Sequence, residues 1–464
     1  MTPSIVVFTR DLRVADNPAL ATAAAAGPVV PLFVFDEAII GRSDLSARRL
    51  AFLRESLADL DASLLARGAA LVVRRGPWVD EVIRCAGSAG ADVIHLASDV
   101  TRYASARLER LRAEAATAGA RVVTHPGITA IEPGAVAPPG RTFYQVFTPY
   151  YKRWLDTPLR PGLPAPRALR LPPGIDPGRL PALGDLTGAV GTAGTAATAG
   201  TAGTAGTAGG NAPMPGGETA GTARLRNWTA SALAGYAAQR DDLAADMTSH
   251  LSAYLHFGCV SPRAAAALRA DPRGGEFARQ IAWRDFFHQV LAARPEAFRE
   301  DYRPRGDRWN DDQKALAAWR VGQTGYPVVD AAMRQLSATG FMPGRARMIV
   351  ASFLTKDLYI DWRLGAAHFA GHLTDADVAC NQLNWQWVAG TGTDTNPSRV
   401  FNPTVQGRRY DPAGDYVRRH VPELAWLPAE AIHDPDPDTR RLCGYPMPLV
   451  DHRAAIQRYR MLRR

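Results

Sequence analysis

Residues 4–20, SIVVFTRDLRVADNPAL, read as a strand, a polar turn and the start of a helix. Residues 5–8 form a continuous apolar run, which is typical of a buried strand. Asp16 or Asn17 is suited to cap the helix that follows, because a short polar side chain accepts hydrogen bonds from free backbone N–H groups. Pro18 then fits the first helical position, where its missing N–H costs nothing.

The same alternation of strand-like and helix-like patterns continues to about residue 130. Further apolar runs cover 29–35, 71–73, 93–96 and 121–123, and the apolar spacing predicts a helix over 47–65. Strands that alternate with helices predict a doubly wound parallel sheet, an α/β domain. Ligands of such sheets bind beyond the carboxyl ends of the strands.

The middle of the chain lacks this periodicity. Residues 158–181 are rich in proline, 191–210 repeat Gly-Thr-Ala, and no charged residue lies between Leu186 and Gly217. Such a segment cannot bury a core, so it predicts a flexible linker. A small helical repeat array is the alternative, but a period of three fits no solenoid. We therefore predict an α/β domain over 1–130, a linker over 131–222 and an all-helical domain over 223–464.

Charge and cysteine content narrow the class of protein. The 464 residues carry a formal net charge of +9, which fits an anionic partner such as nucleic acid or a membrane surface, or else a basic enzyme without one. The four cysteines form no CxxC pair, which argues against a zinc site and against a disulfide framework. Neither a signal-peptide pattern nor an apolar run of about 18 residues is present. We expect a cytoplasmic protein with no membrane association.

Eight of the ten tryptophans fall after residue 223. An all-helical domain rich in indoles suggests a site for a planar aromatic ligand. The alternative is that tryptophan merely fills the core of a large helical domain. Composition does not separate the two, and longer motifs are needed.

Residues 9–20, TRDLRVADNPAL, resemble the opening motif of photolyases and cryptochromes. The resemblance extends over nearly the whole chain except the linker. Further matching segments are TSHLS at 248–252, QIAWRDFF at 280–287, TGYPVVDAAMRQL at 324–336, DADVACNQLNWQW at 375–387 and NPTVQG at 402–407. The chain is identified as a member of this family, most like bacterial class I cyclobutane pyrimidine dimer photolyases, which implies an FAD held by the helical domain.

The resemblance implies a role for each matching residue around the FAD. The hydroxyls of residues 248–252 would start a helix, where free N–H groups form a phosphate cradle. Asn381 would face flavin N5, and Arg347 paired with Asp375 would stabilise the reduced anion. Without the resemblance, the same residues would read as caps and a polar helix face with a salt bridge. The predicted cofactor-binding residues are Tyr236, Thr248, Ser249, His250, Leu251, Ser252, Arg284, Arg347, Asp375, Ala376, Asp377 and Asn381.

Gln280, Trp283, Arg284 and Phe287 share one face of a predicted helix. An amide, an indole and a guanidinium on one face can bond a base edge, stack on a base and hold a phosphate. The family has Glu at position 280, and Gln can pair with the base edge but cannot supply an acid. The predicted DNA-binding residues are Arg240, Gln280, Trp283, Phe287, Gly344, Arg345, Met348, Trp387 and Gln406.

The predicted activity is light-driven repair of cyclobutane pyrimidine dimers in UV-damaged DNA. Six-four photolyases have His at the positions of Gly344 and Met348, which argues against that substrate, although Gln280 alone would favour it. Pro343 and Gly344 also replace the family's His and Asn, which puts one flavin or lesion contact in doubt. A cryptochrome-type photoreceptor is the main alternative. A plain DNA-binding module without flavin is the third.

Trp309, Trp362 and Trp385 match the family's electron-transfer triad, with Trp319 as an alternative member. Together with Asn381 and Gln280 they are the predicted catalytic residues, and no metal is expected. The α/β domain would hold an antenna pigment. An 8-hydroxy-5-deazaflavin is favoured over methenyltetrahydrofolate because residues 99–103 lack an Asn-rich pattern, and an empty site is the remaining option. We expect a monomer.

Overall fold

The computed structural model describes residues 2–42, 45–187 and 214–463. The Gly-Thr-Ala repeat and the central part of the predicted linker, 188–213, lie outside the described residues. The chain divides into two compact units. The first, here called the sheet unit, comprises Met1–Tyr144, Tyr150–Ser231 and Ser249–Pro295. The second, the helical unit, comprises Gln145–Pro149, Ala232–Thr248 and Glu296–Arg464.

The five strands are β1 (Ser4–Val7), β2 (Val29–Asp36), β3 (Val72–Gly76), β4 (Val93–Ala97) and β5 (Arg121–His125). The helices up to residue 270 are α1 (Pro18–Ala26), α2 (Glu37–Ile40), α3 (Ala47–Leu65), α4 (Trp78–Ala89), α5 (Arg102–Thr117), α6 (Phe147–Asp156), α7 (Leu183–Thr187), α8 (Glu218–Ser231), α9 (Leu233–Gln239), α10 (Ser252–His256) and α11 (Pro262–Ala266). The later helices are α12 (Gly275–Ala293), α13 (Gln313–Val321), α14 (Pro327–Thr339), α15 (Gly344–Ser352), α16 (Trp362–His372), α17 (Val378–Ala389), α18 (Pro403–Tyr410), α19 (Asp415–His420), α20 (Ala429–Ile432), α21 (Pro437–Cys443) and α22 (His452–Leu462). Short 3-10 turns cover Ala267–Ala270, Pro295–Phe298 and Pro422–Leu424, and a π-helical turn covers Phe353–Asp357.

The sheet is fully parallel, with the strand order β3-β2-β1-β4-β5. Ile5 lies in register with Val30 on one side and with Ile94 on the other. All five predicted strands are present and α3 has the predicted bounds, so the prediction of a doubly wound α/β fold is confirmed. The strand order reverses at β1 and β4, and ligands of such sheets bind beyond the carboxyl ends of the strands at this point.

The opening motif forms a scaffold within the sheet unit. Asn17 caps α1 by accepting from the N–H of Leu20 at 3.0 Å, as one of the two predicted caps. The buried Arg13 guanidinium donates to the carbonyl oxygens of Gly258, at 2.8 Å, and Gly127, at 3.1 Å. Gly258 has a φ of +70°, and a Cβ there would lie 2.0 Å from the carbonyl oxygen of Arg10. The motif therefore holds distant segments of the unit together.

The predicted linker contains packed structure at both ends. Tyr150 and Trp154, both in α6, are buried. At the other end, α8 begins at Glu218, and its carboxylate accepts from the N–H groups of Val14, at 2.7 Å, and Ala15, at 3.0 Å. Helices α10, α11 and α12 also group with the sheet unit. The compact units therefore divide the chain differently from the boundaries expected at 130 and 222.

The helical unit has a core of aromatic and aliphatic side chains from α13 to α19. Trp319 and Trp362 are fully buried, and Trp385 is 3% exposed. Gly365 of α16 allows close packing against α17, because a Cβ there would lie 2.3 Å from the Trp385 ring. In the described ranges, the helices are all too short or too polar to cross a membrane.

One histidine of this unit gives a pH-dependent prediction. Burial, with His372 and Arg320 nearby, lowers the pKa of His368 from 6.5 to about 3. Between these two values the unfolded chain binds a proton that the folded chain does not, so stability is lost as the pH falls from 6.5. We expect the free energy of unfolding in urea to fall over this window. His368→Phe should reduce the slope by up to about 1.4 kcal/mol per pH unit, with no change in slope above pH 7. Parallel profiles for the two proteins would contradict this.

Candidate flavin and DNA sites

Helix α12 of the sheet unit carries the four residues predicted to share one face. Gln280 and Trp283 are half-buried, whereas Arg284 and Phe287 are buried. The Arg284 guanidinium donates to the carbonyl oxygens of Ile128 and Leu255. The Phe287 ring lies 5.4 Å from that of Trp283. Gln280 and Trp283 are thus the members of the set that remain accessible to a base, while the cofactor role of Arg284 stays a prediction.

Asp285 anchors α12 to the rest of the sheet unit. This 1% exposed carboxylate accepts from the N–H groups of Ala130, at 3.2 Å, and Ile131, at 3.0 Å, and from Trp154 Nε1 at 3.0 Å. Burial raises the pKa of Asp285, and the Trp154 hydrogen bond is the largest influence in the opposite direction. The position of Gln280 and Trp283 depends on this anchor because they lie on the same helix.

The segment predicted to cradle phosphate has an unusual backbone. His250 lies in the left-handed region with a φ of +53°, and the next residue, Leu251, is right-handed helical. Alternation of these two conformations turns successive N–H groups toward one anion. Ser249 Oγ accepts from the Leu251 N–H at 3.4 Å, and Ser252 begins α10 as predicted. The Leu251 N–H is engaged in this bond, so the phosphate-cradle role of the segment stays a prediction.

In the helical unit, the residues predicted to face the flavin lie on α15, on α17 and in the turn just before α17. Arg347 Nη2 lies 2.9 Å from Asp375 Oδ2, so the predicted ion pair is present. Arg347 Nε also donates to the Met342 carbonyl oxygen at 2.8 Å. Asp377 caps α17 by accepting from the Cys380 N–H at 3.0 Å. The Asn381 amide donates to the Ala366 carbonyl oxygen at 3.0 Å.

This set of groups fits an isoalloxazine ring. The pyrimidine edge of a flavin presents both N–H and carbonyl groups, which need carboxylate acceptors and cationic donors. Asp375 is 8% exposed and Asp377 is 7% exposed, so both carboxylates lie where water competes little for their hydrogen bonds. The Arg347 guanidinium supplies a positive charge beside them.

The remaining predicted contacts of the helical unit divide into buried and accessible groups. Tyr236 is buried on α9, and Ala376 and Met348 pack against the core. Arg240 ends α9, and Gly344 begins α15. Arg345, Trp387 and Gln406 are half-buried. Arg345 pairs with Asp241 at 2.7 Å and lies 4.4 Å from the Tyr410 ring, and Arg399 lies 5.2 Å from the Trp387 ring.

The predicted electron-transfer residues differ in burial, because Trp362 and Trp385 are buried whereas Trp309 is half-buried. The Trp385 ring centroid lies 6.0 Å from that of Trp319 and 5.0 Å from that of Phe369. Trp362 donates from Nε1 to the Asp301 carboxylate at 2.8 Å. Trp309, which is half-buried, lies 5.0 Å from the ring of Tyr359.

Sequence reasoning missed Phe369 and Tyr359. Phe369 follows Trp362 by seven residues on α16, so helical spacing alone could have placed the two on one face. Tyr359 lies outside a helix, and its contact with Trp309 arises only from the tertiary fold.

A second candidate site lies at the carboxyl ends of the strands in the sheet unit. Arg10, just after β1, pairs with Asp99, just after β4, at 3.3 Å. Asp36 at the end of β2 accepts from the Tyr103 hydroxyl and pairs with Arg107 at 3.4 Å. These charges lie where a doubly wound sheet binds its ligand. Arg10, Asp36 and Asp99 could have been found from the sequence, because each follows a predicted strand.

A doubly wound sheet with charged residues at the carboxyl ends of its strands, in one chain with a helical unit whose polar groups fit an isoalloxazine ring, is the arrangement expected of a two-unit flavoprotein. A family model described as the FAD binding domain of DNA photolyase matches residues 277–463, and one described as DNA photolyase matches residues 4–168. The chain belongs to the DNA photolyase family. The family predicted from sequence is therefore confirmed.

Relatives of known identity match over the full length. The chain is 47% identical to a deoxyribodipyrimidine photo-lyase of Streptomyces griseus, covering 100% of this chain and 99% of the relative. It is similar to the crystal structure of a class III photolyase from Agrobacterium tumefaciens, with a TM-score of 0.87, 33% identity and coverage of 100% and 97%. A Synechocystis cryptochrome gives a TM-score of 0.89, 29% identity and coverage of 100% and 99%.

Proposed function

We propose that the chain repairs cyclobutane pyrimidine dimers in DNA under light, with FAD as its cofactor. The observation that carries the proposal is the Arg347–Asp375 ion pair in the helical unit, whose carboxylate lies six residues before Asn381 on the chain. Its support is the full-length similarity to proteins named deoxyribodipyrimidine photo-lyase. The same comparison supports deoxyribodipyrimidine photo-lyase as the enzyme class.

When bound, light-excited reduced FAD supplies one electron to the dimer and receives it back after the ring splits. The residues of the chain bind and orient. Arg347 offsets the negative charge of the reduced flavin, and the neutral Asn381 amide avoids the repulsion that a carboxylate would cause. Trp283 and Trp387 offer indole faces for stacking on extruded bases. The Gln280 amide can hydrogen-bond a base edge.

A duplex oligonucleotide with one thymine cyclobutane dimer tests the activity. We expect FAD-loaded, reduced protein to restore the two thymines under blue light and to leave the dimer intact in the dark. A six-four photoproduct in the same duplex should remain unrepaired. Absence of dimer splitting by flavin-loaded, reduced protein would contradict the proposal and favour a cryptochrome-type photoreceptor.

Trp387 gives a prediction about damage recognition. Base stacking on an aromatic side chain contributes about 1–3 kcal/mol per base. We therefore expect Trp387→Ala to weaken binding of dimer-containing DNA by about 5- to 150-fold, with little change for undamaged DNA, in a fluorescence anisotropy titration. Trp426→Ala is the matched control, because Trp426 is 59% exposed and was given no role. Equal losses in the two variants would contradict the assignment of Trp387.

We also propose that an antenna pigment binds at the carboxyl ends of the strands, near Asp36 and Asp99. The carboxylates of Asp36 and Asp99 can accept hydrogen bonds from N–H or O–H groups of a ring system. A deazaflavin remains favoured over a folate, on the sequence of residues 99–103. A related archaeal photolyase from Sulfolobus tokodaii, with a TM-score of 0.84 and 28% identity, is described as containing two FAD molecules. The cytoplasmic location and monomeric state stay predictions.

A further inference from the structure

Tyr359 occupies a strained position beside the outermost predicted tryptophan. Its φ is +53°, in the left-handed region that a non-glycine residue adopts at a cost of about 1–3 kcal/mol. Asn310, the neighbour of Trp309, holds this backbone in place. Its N–H donates to the Tyr359 carbonyl oxygen at 2.7 Å, and its side chain donates to the Leu358 carbonyl oxygen at 2.8 Å. The chain thus fixes the strained turn against Trp309.

This turn places two redox-capable rings in contact. The centroids of Trp309 and Tyr359 lie 5.0 Å apart with the rings inclined by 43°, within the range of favourable aromatic pairs. Trp309 is half-buried, whereas Tyr359 is 1% exposed. A hole that moved from Trp309 to Tyr359 would therefore move away from solvent reductants.

The phenol also has a proton acceptor. Tyr359 Oη donates to Asp307 Oδ1 at 2.8 Å. Burial first, and then the Asp307 hydrogen bond, raise the pKa of Tyr359 to about 12, so the residue is a protonated phenol at neutral pH. Arg463 holds the acceptor in place, with Nε at 2.7 Å from Asp307 Oδ1 and Nη2 at 2.5 Å from Oδ2.

A second buried tyrosine lacks this acceptor. The Tyr459 ring lies 6.1 Å from that of Tyr359. Its hydroxyl donates to the Pro397 carbonyl oxygen at 3.2 Å and accepts from Arg463 Nη1 at 3.1 Å. A carbonyl oxygen is a far weaker base than a carboxylate, so the partners of Tyr459 among the described residues offer its proton a poorer acceptor when the ring is oxidised.

We propose that Tyr359 is the terminal electron donor to the predicted tryptophan triad, and that Asp307 accepts its proton. One electron passes from Tyr359 to the radical cation of Trp309, and the Tyr359 hydroxyl proton passes to Asp307. The products are neutral Trp309, a neutral tyrosyl radical and a protonated Asp307 carboxyl. The step removes the positive charge on Trp309. The Arg463 guanidinium, 5.8 Å from the Trp309 ring, disfavours that charge.

This inference rests on the proposed function, because the oxidant would be a Trp309 radical cation, which the tryptophans would yield if they gave an electron to light-excited, oxidised FAD. The test uses FAD-loaded protein without DNA, excited by a laser pulse. Transient absorption and electron paramagnetic resonance distinguish indole radicals from a neutral tyrosyl radical. Wild-type protein should develop the tyrosyl signal as the indole signal decays.

The variants compare the two tyrosines. Tyr359→Phe should lose the tyrosyl signal and prolong the indole radical, whereas Tyr459→Phe should retain the wild-type signal. Asp307→Asn should slow or abolish tyrosyl formation. In the wild-type protein, the rate of tyrosyl formation should depend on deuteration of the solvent. Equal flavin content in all variants reports correct folding.

Other outcomes separate this inference from the proposed function. Light-driven flavin reduction and an indole radical without a tyrosyl radical would overturn the role of Tyr359 and leave repair intact. A tyrosyl signal that survives in Tyr359→Phe would also overturn it. A protein that forms the tyrosyl radical but splits no dimer would instead overturn the repair activity alone.

Discussion

Replacing Arg347 by methionine is expected to remove most of the bound FAD and to lower light-driven repair by about 100-fold or more, the scale seen when a preorganised electrostatic partner is removed. The guanidinium faces the buried Asp375 carboxylate at 2.9 Å. Its loss leaves that carboxylate without its cation, which is costly in a partly buried site. It also removes the charge that would stabilise the reduced flavin. Flavin absorbance per chain and dimer repair under blue light measure the two effects.

Arg345→Met is the matched control for this prediction. Arg345 lies two residues earlier on α15 and is also ion-paired, with Asp241 at 2.7 Å. We expect this variant to keep its FAD and to bind DNA more weakly, because Arg345 is one of the predicted DNA-binding residues. Equal flavin loss in the two variants would show that FAD binding depends on intact α15 rather than on the Arg347 charge.

Replacing Asp285 by alanine is expected to lower the free energy of unfolding by about 3–9 kcal/mol. The carboxylate satisfies three donors in the interior: two backbone N–H groups and Trp154 Nε1. Each buried donor left without an acceptor costs about 1–3 kcal/mol. Urea denaturation followed by circular dichroism measures the loss.

Asp80→Asn controls for the removal of a carboxylate. The Asp80 side chain, 41% exposed, pairs at the surface with that of Arg110, 54% exposed, and such pairs contribute about 0–1 kcal/mol. A similar small effect for Asp285→Ala would contradict the anchoring of α12 by Asp285. Because α12 carries Gln280 and Trp283, a partly folded Asp285 variant should also bind dimer-containing DNA poorly.

Local patterns in the sequence predict the sheet unit well. Parallel strands that are buried on both faces appear as continuous apolar runs, so the strands starting at Val29 and Val93 were recognisable from their composition. The Asn17 cap and α3 were equally local. The helix around residues 280–287 was also predicted, from the spacing of Gln280, Trp283, Arg284 and Phe287.

Features that depend on tertiary contacts were less predictable. The sequence around Tyr150 and Trp154 indicates no packing partner, so it predicts a linker there. In the structure, Trp154 Nε1 donates to Asp285, 131 residues later. The ion pair of Arg347 with Asp375 was predicted only through resemblance. Tyr359 had no signal, because neither its strained backbone nor its contact with Trp309 follows from a periodic pattern.

The most direct test of the account is the flavin content of the purified chain. After reconstitution with FAD, the account predicts about one flavin per chain, with a visible spectrum altered from that of free FAD, and loss of that flavin in Arg347→Met. A folded polypeptide that takes up no FAD would contradict it.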